Sequence, residues 1–229
     1  MRAAGLILSM LVPLACAATP TFADDTPVFL VQYVAVTAGA TKSAAAAVQK
    51  ARALGRKDDG NLAFEACSEI DRATLLELVS LWRDQKAADA YVASAHAKAL
   101  RDALERGRAA PFDERTFTWV AGSPPGAPPP AGKAALHVVT HVDVVPAFKD
   151  QAAAALKQLA GASLKQSGAV QVQALVQTNR ANHFQLLETW TDRAAFEAHV
   201  AAAPTRAFRD AIQSGIGSPY DERLCKVLP

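Results

Sequence analysis

Two histidines, His137 and His141, alternate with Val139 along a β-branched run, so their rings project from one face of a strand. Imidazoles so placed can ligate a metal, and His183 could approach them. No third ligand follows at a usual spacing, and the assignment is therefore no metal. His199 stands seven residues beyond Asp192, with Phe196 one helical turn before it and Ala203 one turn after. That spacing puts an imidazole on the inner face of an amphipathic helix, either as a satisfied half-buried side chain or as a base, since its ordinary pKa is about 6.5. Trp190 and Trp82 each end an apolar run, where a large aromatic can be core or a stacking wall for a planar ring. Glu188 shares a strand face with Trp190 and reads as a structural ion pair.

These residues belong to elements written twice. An offset of 108 superposes Trp82 on Trp190, Asp84 on Asp192, Gly60 on Gly168, Arg101-Asp102 on Arg209-Asp210, and Pro111-Phe-Asp-Glu-Arg115 on Pro219-Tyr-Asp-Glu-Arg223, without a gap. One offset held across so many rare residue types marks an internal duplication, and the period is far too long for a solenoid. At this offset Tyr91 is the counterpart of His199, Tyr33 of His141, Ser80 of Glu188, and His96 of Pro204. The helix-borne polar residues therefore differ between the copies, which suggests two unequal pockets.

Each copy changes periodicity in the same order. A β-branched run (28–36, 136–145) precedes an alanine-rich helix (42–54, 147–159). Gly60 and Gly168 open a second strand, and a turn at Asp71-Arg72 or Asn179-Arg180 makes it a hairpin with the third. Asp84 and Asp192 are placed to N-cap a single following helix, running to about Leu104 or Ile212. A last strand closes the copy. The class is α+β: tandem ferredoxin-like βαββαβ units. A domain this small is marginal alone and leaves one sheet face uncovered, so the two sheets should pack face to face as an intrachain pseudo-dimer.

The expected organisation is a signal peptide at 1–23, one copy at 27–120, a Pro/Gly-rich linker at 121–134 and a second copy at 135–229. Arg2, a short apolar run and small residues ahead of Asp24 fit a secretory leader cut after Ala23, or alternatively after Ala17. The expectation is an exported protein, periplasmic or secreted, with no membrane attachment after cleavage. A net charge of +2 without Lys/Arg clusters gives no nucleic-acid partner. Two cysteines remain beyond the leader, Cys67 and Cys225, at non-equivalent places. They are either isolated thiols or a copy-to-copy disulfide.

Gly168-Ala-Val-Gln-Val-Gln, Phe184-Gln-Leu-Leu-Glu-Thr-Trp190 and Ala194-Ala-Phe-Glu-Ala-His199 resemble the antibiotic biosynthesis monooxygenase family, with its Gly-opened strand, Glu-x-Trp strand end and Ala-His helix. The first copy matches in pieces: Gly60-Asn-Leu, Leu81-Trp82 and Ala93-Ser-Ala-His96. The resemblance implies a dimeric α/β barrel, here fused into one chain, and leaves room for further self-association. It implies oxidation of a small phenol or quinol by molecular oxygen without a cofactor, with His199 as base and Trp190 as stacking wall. Tyr33, Trp82, Tyr91, His96 and His141 would contact the substrate. Haem is not implied, because Gln32 and Thr140 stand where the haem-degrading members need Asn. In family dimers the last strand of one subunit reaches toward the second strand of the other, which implies a Cys67–Cys225 bridge. The rival reading is a non-catalytic module that holds an apolar ligand or serves assembly.

Overall fold

A computed structural model describes residues 26–126, 132 and 134–228; the expected leader and most of the proline-rich linker lie outside the described residues. In the first copy β1 (Val28–Ala35) and α1 (Thr41–Gly55) lead to the hairpin β2 (Asn61–Glu69) and β3 (Leu75–Trp82). Helices α2 (Gln85–Ala93) and α3 (Ala95–Glu105) and strand β4 (Asp113–Gly122) complete it. The second copy repeats the order with β5 (Leu136–Asp143), α4 (Lys149–Ser163), β6 (Ala169–Gln177), β7 (Arg180–Trp190), α5 (Arg193–Val200), α6 (Ala203–Ile212) and β8 (Asp221–Val227). Strand β4 extends through Ala121 and Gly122, into the segment expected to be linker, because both residues pair with β6.

Eight antiparallel strands close into one barrel, in the order β1-β3-β2-β8-β5-β7-β6-β4 and back to β1. The two sheets thus face each other and also join edge to edge: β4 pairs with β6 of the other copy, and β8 pairs with β2. Closure gives each edge strand a partner in the other copy. At Gly122 the backbone takes φ +96, and a Cβ there would stand 2.1 Å from the Val172 carbonyl oxygen. Glycine is what lets β4 lie against β6 at that point.

Asp84 and Asp192 do cap helices, accepting from the Ala87 and Ala195 amides at 2.7 and 2.9 Å. The single following helix is in fact two. Ser94 turns extended (φ −67, ψ 155) and caps α3 by accepting from the Ala97 amide, while Ala202 breaks the second copy ahead of Pro204. The periodicity runs through both breaks, so alanine-rich sequence conceals them.

Side chains alternate between a helix-covered layer and the barrel interior. Leu30, Leu78 and Trp82 face α1–α3, and Val142, Leu186 and Val172 face α4–α6. Phe29, Val31, Leu81 and Phe117 meet Leu175 and Leu187 inside the barrel, a core to which both copies contribute. Near its centre Gln185 Nε2 donates to Glu77 Oε1 at 2.7 Å, and both side chains are buried. Glu77 and Gln185 are counterparts at the 108-residue offset, so this bond lies on the pseudo-two-fold axis.

Burial raises the Glu77 carboxyl to about 8, opposed by Arg223 and the Gln185 bond. A carboxyl raised this way holds its proton in the folded state where the unfolded chain releases it. Stability therefore falls as pH rises from the ordinary carboxyl range, near 4.5, through about 8. Glu77→Gln keeps the shape and the axial partner but removes the titration. Urea unfolding across this range should show a stability slope shallower by about 1 kcal/mol per pH unit in the variant. Parallel slopes would mean that Glu77 is ionised in the folded protein.

Candidate functional site

His199 lies on α5, and the sequence reason is local. Asp192 caps the helix, and Gly168, at φ +84, permits the close approach: a Cβ there would meet Ala195 Cβ at 2.4 Å. The imidazole is thereby set against Trp190 at the end of β7, ring centroids 4.6 Å apart and tilted 31°. Both are buried, His199 at 3% exposure. His199 Nδ1 donates to Gln166 Oε1 at 3.0 Å, which leaves the lone pair on Nε2. Nε2 faces Glu188 Oε1 at 3.4 Å. Thr205 Oγ1 stands 3.4 Å from both ring nitrogens and itself donates to the His199 carbonyl at 2.6 Å.

Burial drives both members of this pair neutral. It lowers His199 to about 4, assisted by Arg209, and raises Glu188 to about 8, assisted by Glu222 and opposed by Arg209 and the Trp190 indole. Neither Glu188 Oε1 nor Trp190 Nε1 has a hydrogen-bond partner of good geometry. At neutral pH the site therefore holds an uncharged imidazole with a free basic nitrogen beside a protonated carboxyl. It can accept a proton at Nε2 and return one from Glu188.

The first copy fills the equivalent space differently. Tyr91 stacks on Trp82 (4.8 Å, 26°) with Phe64 edge-on to it, and Trp82 Nε1 donates to Ser80 Oγ at 2.9 Å. His96 sits 5.6 Å from Tyr91 and pairs with Asp58 at 2.7 Å. Gly55 makes room for this packing, since a Cβ would meet Phe64 at 2.9 Å and Tyr91 at 3.2 Å. In the second copy the counterparts of Gly55, Ser80 and Ala97 are Ser163, Glu188 and Thr205, all beside His199. The two sites thus differ by coordinated exchange, aromatic and largely apolar in the first copy and polar in the second.

The structure therefore brings His199 and Trp190 together, and separately Trp82, Tyr91 and His96. It does not bring Tyr33 or His141 to either group. Their rings touch each other (4.9 Å) across the pseudo-two-fold axis, on the barrel-interior face of β1 and β5, whereas Trp190 and His199 lie on the helix face. One ring-sized substrate cannot contact both sets. His137 bonds Thr189 at 3.1 Å and His183 pairs with Asp143 at 2.9 Å, so the strand histidines do not converge. Among the described residues no group of three or more His, Cys, Asp or Glu could hold a metal ion. Sequence reasoning missed Gln166, Ser163 and Thr205 and read Glu188 only as a member of an ion pair. The signal that could have found three of them is the offset: Ser163, Glu188 and Thr205 stand where the first copy has Gly55, Ser80 and Ala97, whereas Gln166 stands opposite another polar residue, Asp58.

Cys67 and Cys225 are buried free thiols in contact with each other. They are diagonal neighbours on the β2–β8 seam, where Cys67 pairs with Val227 and Glu69 with Cys225. The neighbouring Cys225 sulfur, with burial behind it, holds the Cys67 thiol well above its ordinary value.

A candidate monooxygenase of Fusobacterium nucleatum matches the fold with a TM-score of 0.77 at 15% identity, covering 89% of this chain and 93% of the other. A candidate monooxygenase of Lactobacillus acidophilus matches with a TM-score of 0.70 at 13% identity over 89% and 95% of the two chains. An anthrone oxidase-like protein matches with a TM-score of 0.68 at 12% identity over 90% and 92%. All three alignments span both copies, and at these identities they speak to the fold alone. No protein of curated function matches the chain. The sequence model for antibiotic biosynthesis monooxygenases matches twice, at residues 27–103 and 135–211, which is most of the chain and falls once in each copy. With the barrel closed from two such units, the chain belongs to the antibiotic biosynthesis monooxygenase family as a tandem, self-paired member.

Proposed function

We propose that this protein is an exported monooxygenase that oxidises a small phenol or quinol with molecular oxygen and no bound cofactor, using the second-copy site. The observation that carries the reading is the asymmetry at His199: four polar side chains surround a neutral imidazole where the first copy is sealed by stacked aromatics. Within it Glu188 Oε1 and the Trp190 indole nitrogen have no partner, and a buried polar group left so costs about 1–3 kcal/mol. His199 Nε2 would take the hydroxyl proton, and Trp190 would hold the ring by stacking. For a naphthol the balance closes without an added reductant. The ring carbon opposite the hydroxyl becomes a second carbonyl, and the hydrogen on that carbon and the hydroxyl hydrogen leave with the other oxygen atom as water.

Oxygen uptake by metal-stripped mature protein, with a panel of hydroquinones and naphthols, tests this. His199→Gln should cut the rate above autoxidation by about 100-fold or more, the usual worth of a positioned base. Trp190→Phe should mainly raise KM. His199, lowered to about 4, stays unprotonated at all higher pH, while Glu188 loses its proton above about 8. The rate should therefore hold from mildly acidic pH to neutrality and fall above pH 8. No uptake by folded protein would favour the rival reading, a ligand-binding module, for which the observation is that His199 is only 3% exposed.

Export has a covalent corollary. In an oxidising compartment Cys67 and Cys225 would each lose a hydrogen to the thiol oxidant there and join as a disulfide across the β2–β8 seam. Protein purified from that compartment should show no titratable thiols, a mass lower by two hydrogens, and a Cys67–Cys225 peptide under non-reducing digestion. Reduction should lower its stability by about 2–4 kcal/mol. Two free thiols in the unreduced mature protein would exclude the bridge.

A further inference from the structure

The largest space on the barrel axis is not beside His199. Where β1 and β5 end and β4 and β8 begin, a cavity of about 430 Å³ opens at the mouth of the barrel. Three counterpart pairs line it: Tyr33 with His141, Arg115 with Arg223, and Asp113 with Asp221. The second copy adds Asp143, Ser218 and Tyr220, where the first has Ala35, Ala110 and Phe112. Both guanidinium groups lie over the Tyr33 ring, at 5.2 and 5.8 Å.

Hydrogen-bonding capacity is left over at this mouth, and it is of both kinds. Arg115 binds Asp113 through Nε and Nη2, at 3.0 and 2.6 Å, and Arg223 binds Asp221 Oδ2 through the same two nitrogens, at 2.9 and 2.5 Å. Each fork is thus rigidly aimed while its Nη1 end has no protein acceptor among the described residues. The Tyr33 hydroxyl and His141 Nε2 are buried without a partner. Asp221 Oδ1 keeps its acceptor sites, and a carboxylate offers about four in all. Asp143 accepts from the Ser218 hydroxyl at 3.2 Å and lies 2.9 Å from His183 Nδ1, which makes no hydrogen bond.

Charge then narrows the ligand. Two guanidinium groups face three carboxylates, and burial keeps His141 neutral, lowered to about 4. An anion meets Asp113, Asp143 and Asp221; a cation meets both arginines. A hydroxyl group both accepts and donates, and so suits donors and acceptors alternating around a rim. We propose that the barrel mouth binds a neutral polyhydroxylated small molecule, of which a simple pyranose is the representative. The site is separate from the sheet–helix site at His199 and does not depend on its function.

Sugars of one ring size and different charge make the test: glucose, glucuronate and protonated glucosamine, titrated into the full mature protein and followed by NMR. Glucose should bind saturably, and the two charged sugars about tenfold more weakly or worse. Tyr33→Phe is the informative variant. It deletes a hydroxyl that has no partner in the free protein, so the melting temperature should hold or rise while glucose binding weakens about tenfold. Arg223→Lys, which removes the fork, should weaken it further, and His199→Gln should leave it unchanged. The proposal is overturned if glucose fails to saturate, if glucuronate or glucosamine binds as tightly, or if binding survives Tyr33→Phe and is lost in His199→Gln.

Discussion

Two seams of strand pairing, β4 with β6 and β2 with β8, hold the barrel shut. A ferredoxin-like unit covers one sheet face with its helices and leaves the other face and both sheet edges open. Uncovered apolar area and unpaired backbone groups are separate penalties. Closing two sheets into a ring satisfies both at once: the inner faces bury Phe29, Val31, Phe117 and Leu175 against one another, and the edge strands find partners in the other copy. The seams are unequal. On β4–β6 the register runs from Phe117 to Gly122, whereas on β2–β8 it covers only Cys67 to Glu69. The shorter seam carries both thiols, and main-chain bonds from Leu228 to Ala66 and from Ile70 to Leu224 extend it by one link at each end.

Fusion in one chain changes what such a barrel can hold. In a dimer of identical chains, residues on the two-fold axis must face copies of themselves, and two glutamates at the Glu77 position would oppose each other in a dry interior. Here Gln185 faces Glu77, so the axis carries one carboxyl and one amide that donates to it. The same freedom places His141 against Tyr33 in place of a like pair. The unlike pair therefore keeps a second carboxyl off the axis, where two ionised ones at short range in low dielectric would cost several kcal/mol.

Most of the fold was legible in the sequence because its signals are local or self-confirming. The 108-residue offset reports the repeat without any model of structure, and period-two alternation with Gly60 and Gly168 at strand starts gives the strands. The leader and most of the linker lie outside the described residues. The helix breaks at Ser94 and Ala202 were not legible: alanine fits either side of a break, and the turn is imposed by packing on the sheet. Half of the candidate site was lost for another reason. Alternation says that Glu188 and Trp190 share a face, and that His137 and His141 share one. It does not say whether these are the same face. That is fixed only by cross-strand register, which sets Val138 opposite Glu188 and His141 opposite Gln185. The first pair faces the helices and the second the barrel.

The copies have diverged by compensating volume as well as polarity, which argues that the difference at His199 is built rather than tolerated. Tyr91 needs Gly55 beneath it, and with Phe64 it leaves no room for a polar group beyond Ser80, whose hydroxyl is spent on Trp82. Replacing Tyr by His frees space, and Val172 in place of Phe64 frees more. The vacated volume is taken by Ser163, Thr205 and Glu188, each within reach of the imidazole or the indole. A histidine without these neighbours would leave a cavity, and a buried carboxyl ordinarily pairs with a cation or turns to solvent. Glu188 has neither fate: it stays buried and protonated, with Arg209 moderating its shift from a distance. With the carboxyl raised to about 8 and the imidazole lowered to about 4, the resting proton sits on Glu188, 3.4 Å from a free basic nitrogen. An acid and a base held side by side in one dry site is a property the first copy, sealed by stacked rings, does not have.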